Sequence, residues 1–179
     1  MTTTVCPLCA RCRPKVLPIG PTPCRVLFLG ERPSKDEDRL GEPFIGYTGQ
    51  EFRYTYLPLA NLTINDIHLA NAVYCSDENY SNPTAEEAQS CMSVHLGPLL
   101  AAVKPVIVVP MGAVACGLFT NVNLNRDHGI PIAGSWGSAW QGVVFPMFHP
   151  SAGLHSTGYM IPLMSDFTAL GKLLKELPQ

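Results

Sequence analysis

The stretch Val26-Leu27-Phe28-Leu29-Gly30-Glu31-Arg32-Pro33-Ser34-Lys35-Asp36-Glu37-Asp38-Arg39-Leu40-Gly41-Glu42-Pro43-Phe44-Ile45-Gly46 decides how this chain is read. It opens on consecutive apolar residues with no polar alternation, the pattern of a strand buried on both faces, and a Gly-Glu-Arg-Pro turn then ends the run. Such a turn presents backbone groups and carboxylates at a sheet edge. Further along, Ile67 to Val73, Val106 to Val109 and Val143 to Phe148 have the same character, so with Arg25 to Leu29 four strands are predicted.

Helical stretches separate these runs. Thr84-Ala85-Glu86-Glu87 after Pro83 is a capping box, and it predicts a helix running toward Val103 that Gly97-Pro98 kinks or breaks. Gly49 to Leu59, Gly112 to Phe119 and Pro162 to Leu177 are the other predicted helices, and Asn121 to Gln141, with Gly129, Gly134 and Gly137, reads as loop or hairpin. Strands alternating with helices predict an α/β fold, a three-layer α/β/α sandwich around a mainly parallel four-stranded central sheet, with sites at the strand carboxyl ends.

At 179 residues and 46% hydrophobic content, the chain suits one buried core, so a single domain over 1–179 is expected. Its apolar runs are too short to span a membrane, and Met1-Thr2-Thr3-Thr4-Val5 lacks the basic-then-apolar order of a signal peptide. A soluble, cytoplasmic monomer without membrane partner or nucleotide cofactor is the expectation. A formal charge of −2 excludes a global electrostatic pull on nucleic acid, so any DNA contact must be local. Arg11, Arg13 and Lys15 fall within five residues and read, taken alone, as a solvated basic turn, with a phosphate-contacting edge as the alternative. Seven cysteines cannot all pair, and metal or cluster ligation competes with a disulfide framework.

Three polar segments follow three of the predicted strands: the opening turn, Asn71-Ala72-Val73-Tyr74-Cys75, and His149-Pro150-Ser151. In order and spacing they resemble the motifs of the uracil-DNA glycosylase superfamily, most closely the family 4 type, and the resemblance covers nearly the whole chain. It implies a monofunctional DNA glycosylase that flips uracil from DNA and hydrolyses its N-glycosidic bond. Asn71 then matches the asparagine that reads the base edge, since a carboxamide offers one donor and one acceptor to a pyrimidine. His149 matches the histidine that donates to the departing base's O2, and Phe44 the ring that stacks on the base. Glu31 and Glu37 occupy the two motif carboxylates: one to orient or polarise water, the other to contact the base or order the loop. Ser151 and Leu154 fall in the segment with which the superfamily enters the minor groove, Leu154 as the wedge.

Cys6-Pro7-Leu8-Cys9, with Cys75 and Cys91 fifteen residues apart around Asn82-Pro83-Thr84-Ala85-Glu86-Glu87, also resembles family 4. The resemblance implies a structural 4Fe-4S cluster held by Cys6, Cys9, Cys75 and Cys91, with 1–24 as its N-terminal segment. Zinc also suits four thiolates, and Cys9 with Cys12 forms a second C-x-x-C. Cys24 and Cys116 read as small buried residues.

Departures bear on which base is accepted. Arg32 and Ser34 stand where the family has Ala or Gly, and Gly, so Arg32 is expected either at a phosphate or base substituent or in an ion pair with a nearby carboxylate. Ser76-Asp77-Glu78-Asn79-Tyr80 replaces a basic, proline-rich stretch. Two alternatives follow, the same fold excising a modified pyrimidine such as a modified cytosine, and a non-catalytic iron-sulfur module that only binds DNA. The histidine-bearing insertion of the branch that crosslinks to DNA is lacking.

Overall fold

The computed structural model describes residues 15–177; Cys6, Cys9 and Cys12, like Arg11 and Arg13, lie outside the described residues. In chain order it comprises β1 (Val26–Gly30), α1 (Lys35–Leu40), α2 (Tyr47–Glu51), a π-helical turn (Phe52–Tyr56), α3 (Leu57–Leu59), β2 (His68–Asn71), α4 (Ala85–Val103), β3 (Ile107–Pro110), α5 (Ala113–Gly117), α6 (Leu124–Asp127), β4 (Ile132–Trp136), β5 (Trp140–Val144), α7 (Pro150–His155) and α8 (Thr157–Glu176). The five strands are ordered β2-β1-β3-β5-β4. β2, β1, β3 and β5 pair in parallel, and β4 joins the edge antiparallel to β5.

The α/β class is as expected, but the four-stranded, mainly parallel sheet needs correction to a mixed sheet of five. The extra strand forms from the hairpin alternative for Asn121 to Gln141. Ile132-Ala133-Gly134-Ser135-Trp136 is only half buried, as befits an edge. Its glycine and serine dilute the β-branched signal that marks an inner strand. α4 likewise continues through Gly97-Pro98, because Leu96, Leu100 and Val103 bury its inner face while Pro98 looks outward. Tertiary burial outweighs the hydrogen bond that Pro98 cannot make. α8 begins at Thr157 instead of Pro162, where the Ser156 hydroxyl caps it by accepting from the Gly158 N–H at 3.2 Å.

Side chains of β1 alternate between two cores. Leu27 and Leu29 join Met92, Leu96 and Leu100 of α4 on one face, whereas Val26 and Phe28 join Phe52, Tyr56 and Phe167 of the π turn and α8 on the other. Helices thus cover both faces, and the strand carboxyl ends open between them. Among the described residues no helix is long and apolar enough to cross a membrane.

Candidate functional site

The last rung of the β1–β2 ladder pairs Gly30 with Asn71. A Cβ on Gly30 would lie 2.4 Å from Asn71 Oδ1 and 2.7 Å from the Phe44 ring, so glycine is what lets the amide and the ring meet over the strand end. Asn71 is 2% exposed, and neither its Oδ1 nor its Nδ2 has a hydrogen-bond partner. Buried amides in folded proteins are almost always satisfied. The Asn71 amide therefore offers one donor and one acceptor that no other group among the described residues takes up.

Phe44 stands in the left-handed region at φ +55°, unusual for a bulky residue. Two groups hold it there. The buried Glu37 carboxylate accepts from the Phe44 N–H and from the Ser34 N–H that opens α1, while Arg53 Nε donates to the Phe44 carbonyl at 3.0 Å. Glu37 thus orders the loop from both ends. Behind Phe44 the Phe52 ring lies at 5.0 Å, and beside it the His149 ring lies at 5.7 Å.

His149 reaches the same end of the sheet because Gly112 N–H donates to the Met147 carbonyl, extending the β5 segment past β3. Its Nδ1 accepts from the Ser151 N–H at 3.3 Å and lies 2.8 Å from Ser151 Oγ, which leaves the neutral ring's proton on Nε2. Desolvation pushes its pKa down to about 4, so the ring is neutral at physiological pH.

Glu31, just past β1, is largely enclosed. Its Oε1 would lie 2.2 Å from a Cβ on Gly112, whose φ of +92° also calls for glycine, and it accepts from the Val114 N–H at 3.3 Å. Burial raises its pKa above the ordinary carboxylate value, opposed in part by that N–H.

Glu31, Ser34, Glu37, Phe44, His149 and Ser151 converge on one cavity of about 310 Å³. Asn71 meets it through the Phe44 ring across Gly30. Arg32 also lines it, but its guanidinium turns outward: Nη1 lies 3.0 Å from the Ser81 carbonyl and 3.1 Å from Asp77 Oδ2, and Nη2 lies 3.0 Å from Glu87 Oε2. Leu154 sits half-buried on the short helix α7 and outside the cavity. Residues to which the sequence motifs give no individual site role are Gly30, Gly112 and the cavity-lining Ser81 to Pro83. A lone glycine after a strand gives no signal of a close approach. The chain separation of Pro83 from Glu31 hides that wall.

Cys75 and Cys91 are each 1% exposed and belong to the core on the α4 face, across the sheet from Phe44. Near them, Ile19 bridges Leu69 antiparallel, and the Val16 N–H donates to the carbonyl of Tyr74, the residue before Cys75, at 2.8 Å. This half of the implied donor set fits a cluster in its chemistry, since both thiols are buried in one core, while Cys6 and Cys9 lie outside the described residues. Among the described residues no three metal-ligating side chains gather. Cys24 and Cys116 are buried at 8% and 2%, and burial pushes the Cys116 thiol up to about 12.

Residues 17–168 match the family profile described as the uracil DNA glycosylase superfamily. The type-4 uracil-DNA glycosylase of Thermotoga maritima is 31% identical over 151 residues, covering 83% of this chain and 76% of its own. That of Archaeoglobus fulgidus is 29% identical over 162 residues, covering 87% and 79%. That of Saccharolobus solfataricus is 26% identical over 164 residues, covering 89% and 76%.

Proposed function

Because the chain belongs to the uracil DNA glycosylase superfamily, we propose that it is a monofunctional glycosylase that hydrolyses the N-glycosidic bond of uracil flipped out of DNA, leaving an abasic site. The observation that carries this reading is the orphaned Asn71 amide beside Phe44, because a uracil edge supplies the acceptor O4 and the donor N3–H that it lacks. Phe44 gives the base a face to stack on. The C1′–N1 bond breaks with its electron pair leaving on the base, and negative charge gathers on O2. The Nε2–H of neutral His149 stabilises that charge without a prior proton transfer. Glu31, whose pKa burial raises above the ordinary carboxylate value, orients the water whose oxygen joins C1′; its carboxylate or solvent takes the proton.

Glu37 acts by holding Phe44 and the α1 turn. Ser151 fixes the His149 tautomer and Ser34 lines the cavity, while Leu154, half-buried on α7, serves as the wedge. Cys75 and Cys91 would hold a 4Fe-4S cluster together with Cys6 and Cys9, and such a cluster ties the N-terminal segment, β2 and α4 together. The reading includes one domain acting as a monomer on DNA in the cytoplasm.

Incubating the protein with uracil-bearing oligonucleotides should give alkali-labile sites at uracil, and the purified protein should be brown and contain iron and sulfide. No cleavage by iron-loaded protein overturns the enzymatic reading. Zinc in colourless protein overturns the cluster.

A further inference from the structure

The segment from Ser76 to Pro83 starts at the buried Cys75 on the α4 face and arrives as the side wall of the cavity, where Tyr80 to Pro83 face Phe44 and His149. Glu78, Asn79, Ser81 and Asn82 are exposed, and Pro83 is the one apolar residue of the strap that is buried. What holds it is polar. The Arg32 side chain, only 6% exposed, binds Asp77, Glu87 and the Ser81 carbonyl with one planar fork. Asp77 in turn accepts from the N–H groups of Asn79 and Ser81, at 3.2 and 2.9 Å, and from the Ser81 hydroxyl. Hydrogen bonds from Ser81, then the Arg32 charge, hold its carboxyl below the usual range. Glu87 Oε2 also caps α4 by accepting from the Thr84 N–H at 2.9 Å, and Tyr80 donates to Asp38 at 3.2 Å. One cation therefore joins the turn after β1, the strap and the start of α4.

We propose that Arg32 is a specificity-determining positioning residue: through Asp77 and Glu87 it pins the 76–83 strap as the cavity wall, so base selection depends on an ion-pair network whose carboxylates lie outside the cavity. This rests on the glycosylase reading above. Removing the fork frees a half-exposed segment whose ordering entropy little apolar burial offsets, and the cavity then admits bulkier pyrimidines.

The test uses the full chain, loaded with its metal as purified, in four forms: wild type, Arg32→Met, which keeps the apolar stem, Glu87→Gln, which lies outside the cavity, and Arg32→Lys. Amide exchange across 76–83 and kcat and KM for uracil and 5-hydroxymethyluracil in one oligonucleotide are measured. Arg32→Met and Glu87→Gln should speed exchange in the strap and lower the uracil preference about tenfold, chiefly through a lower KM for 5-hydroxymethyluracil, with partial recovery in Arg32→Lys. Unchanged exchange overturns the pin. Faster exchange with unchanged preference overturns the role in specificity, as does a loss confined to kcat. A wild type that excises neither base overturns the enzymatic reading and the specificity with it, while faster exchange in Arg32→Met still supports the pin.

Discussion

Replacing Asn71 by leucine should make the protein more stable and inactive. The native amide is 2% exposed with both polar atoms unpartnered. On the scale set by mutations in proteins, such a group costs about 1–3 kcal/mol. Leucine is near in shape and removes that cost; strain from its bulkier branch offsets about 1 kcal/mol. The net expectation is about 1 kcal/mol of added stability, a melting temperature higher by roughly 2–4 °C for a chain of this size. Excision of uracil should fall by at least about 10²–10³-fold, the effect of losing one well-aimed donor at a developing charge. Circular dichroism melting with iron content matched, and single-turnover cleavage of a uracil oligonucleotide, measure both arms. A lower melting point would refute the claim that the amide is unsatisfied in the free protein. A rate within tenfold of wild type would remove it from base recognition.

Acid inactivation should trace to Glu31. As pH falls, Glu31 with its raised pKa takes up a proton before an ordinary carboxylate does, whereas His149, at about 4, is still neutral; the acid limb of kcat should therefore vanish in Glu31→Gln, and an apparent pKa near 6.5 that vanishes in His149→Gln contradicts this. Gly30→Ala places a methyl 2.4 Å from Asn71 Oδ1 and should cost about 1–3 kcal/mol with a large loss of excision, read by melting and turnover; wild-type values for both would show that amide and ring need not meet there.

How much of this was legible follows from how local each signal is. The β1 run and its turn, Asn71 and His149 each close or follow a strand, and strand ends in a parallel sheet converge by topology alone, so linear order was enough to gather them. β4 was blurred because an edge strand needs little burial, and Gly134 with Ser135 carries almost no β signal. The course of α4 past Pro98 depends on the core beneath Leu96 and Leu100, which no window of sequence contains. Arg32 is the most instructive residue. Its two readings, toward a phosphate or base and toward a carboxylate, differ only in where Asp77 and Glu87 come to rest, a long-range matter. The ordering role of Glu37 was within reach, since Ser34 and Glu37 have capping-box spacing, but its second oxygen on the Phe44 N–H was not.

The pairing of Gly30 with Asn71 acts as a ruler. Shifting β2 by one residue would bring Ala70 or Ala72 opposite Gly30 and turn the amide toward the α4 side. Recognition depth is thus written in main-chain alignment, which makes the two strands an indivisible cassette for transplantation: a host sheet that reproduces their stagger inherits the reading head, and one that does not receives only the residues.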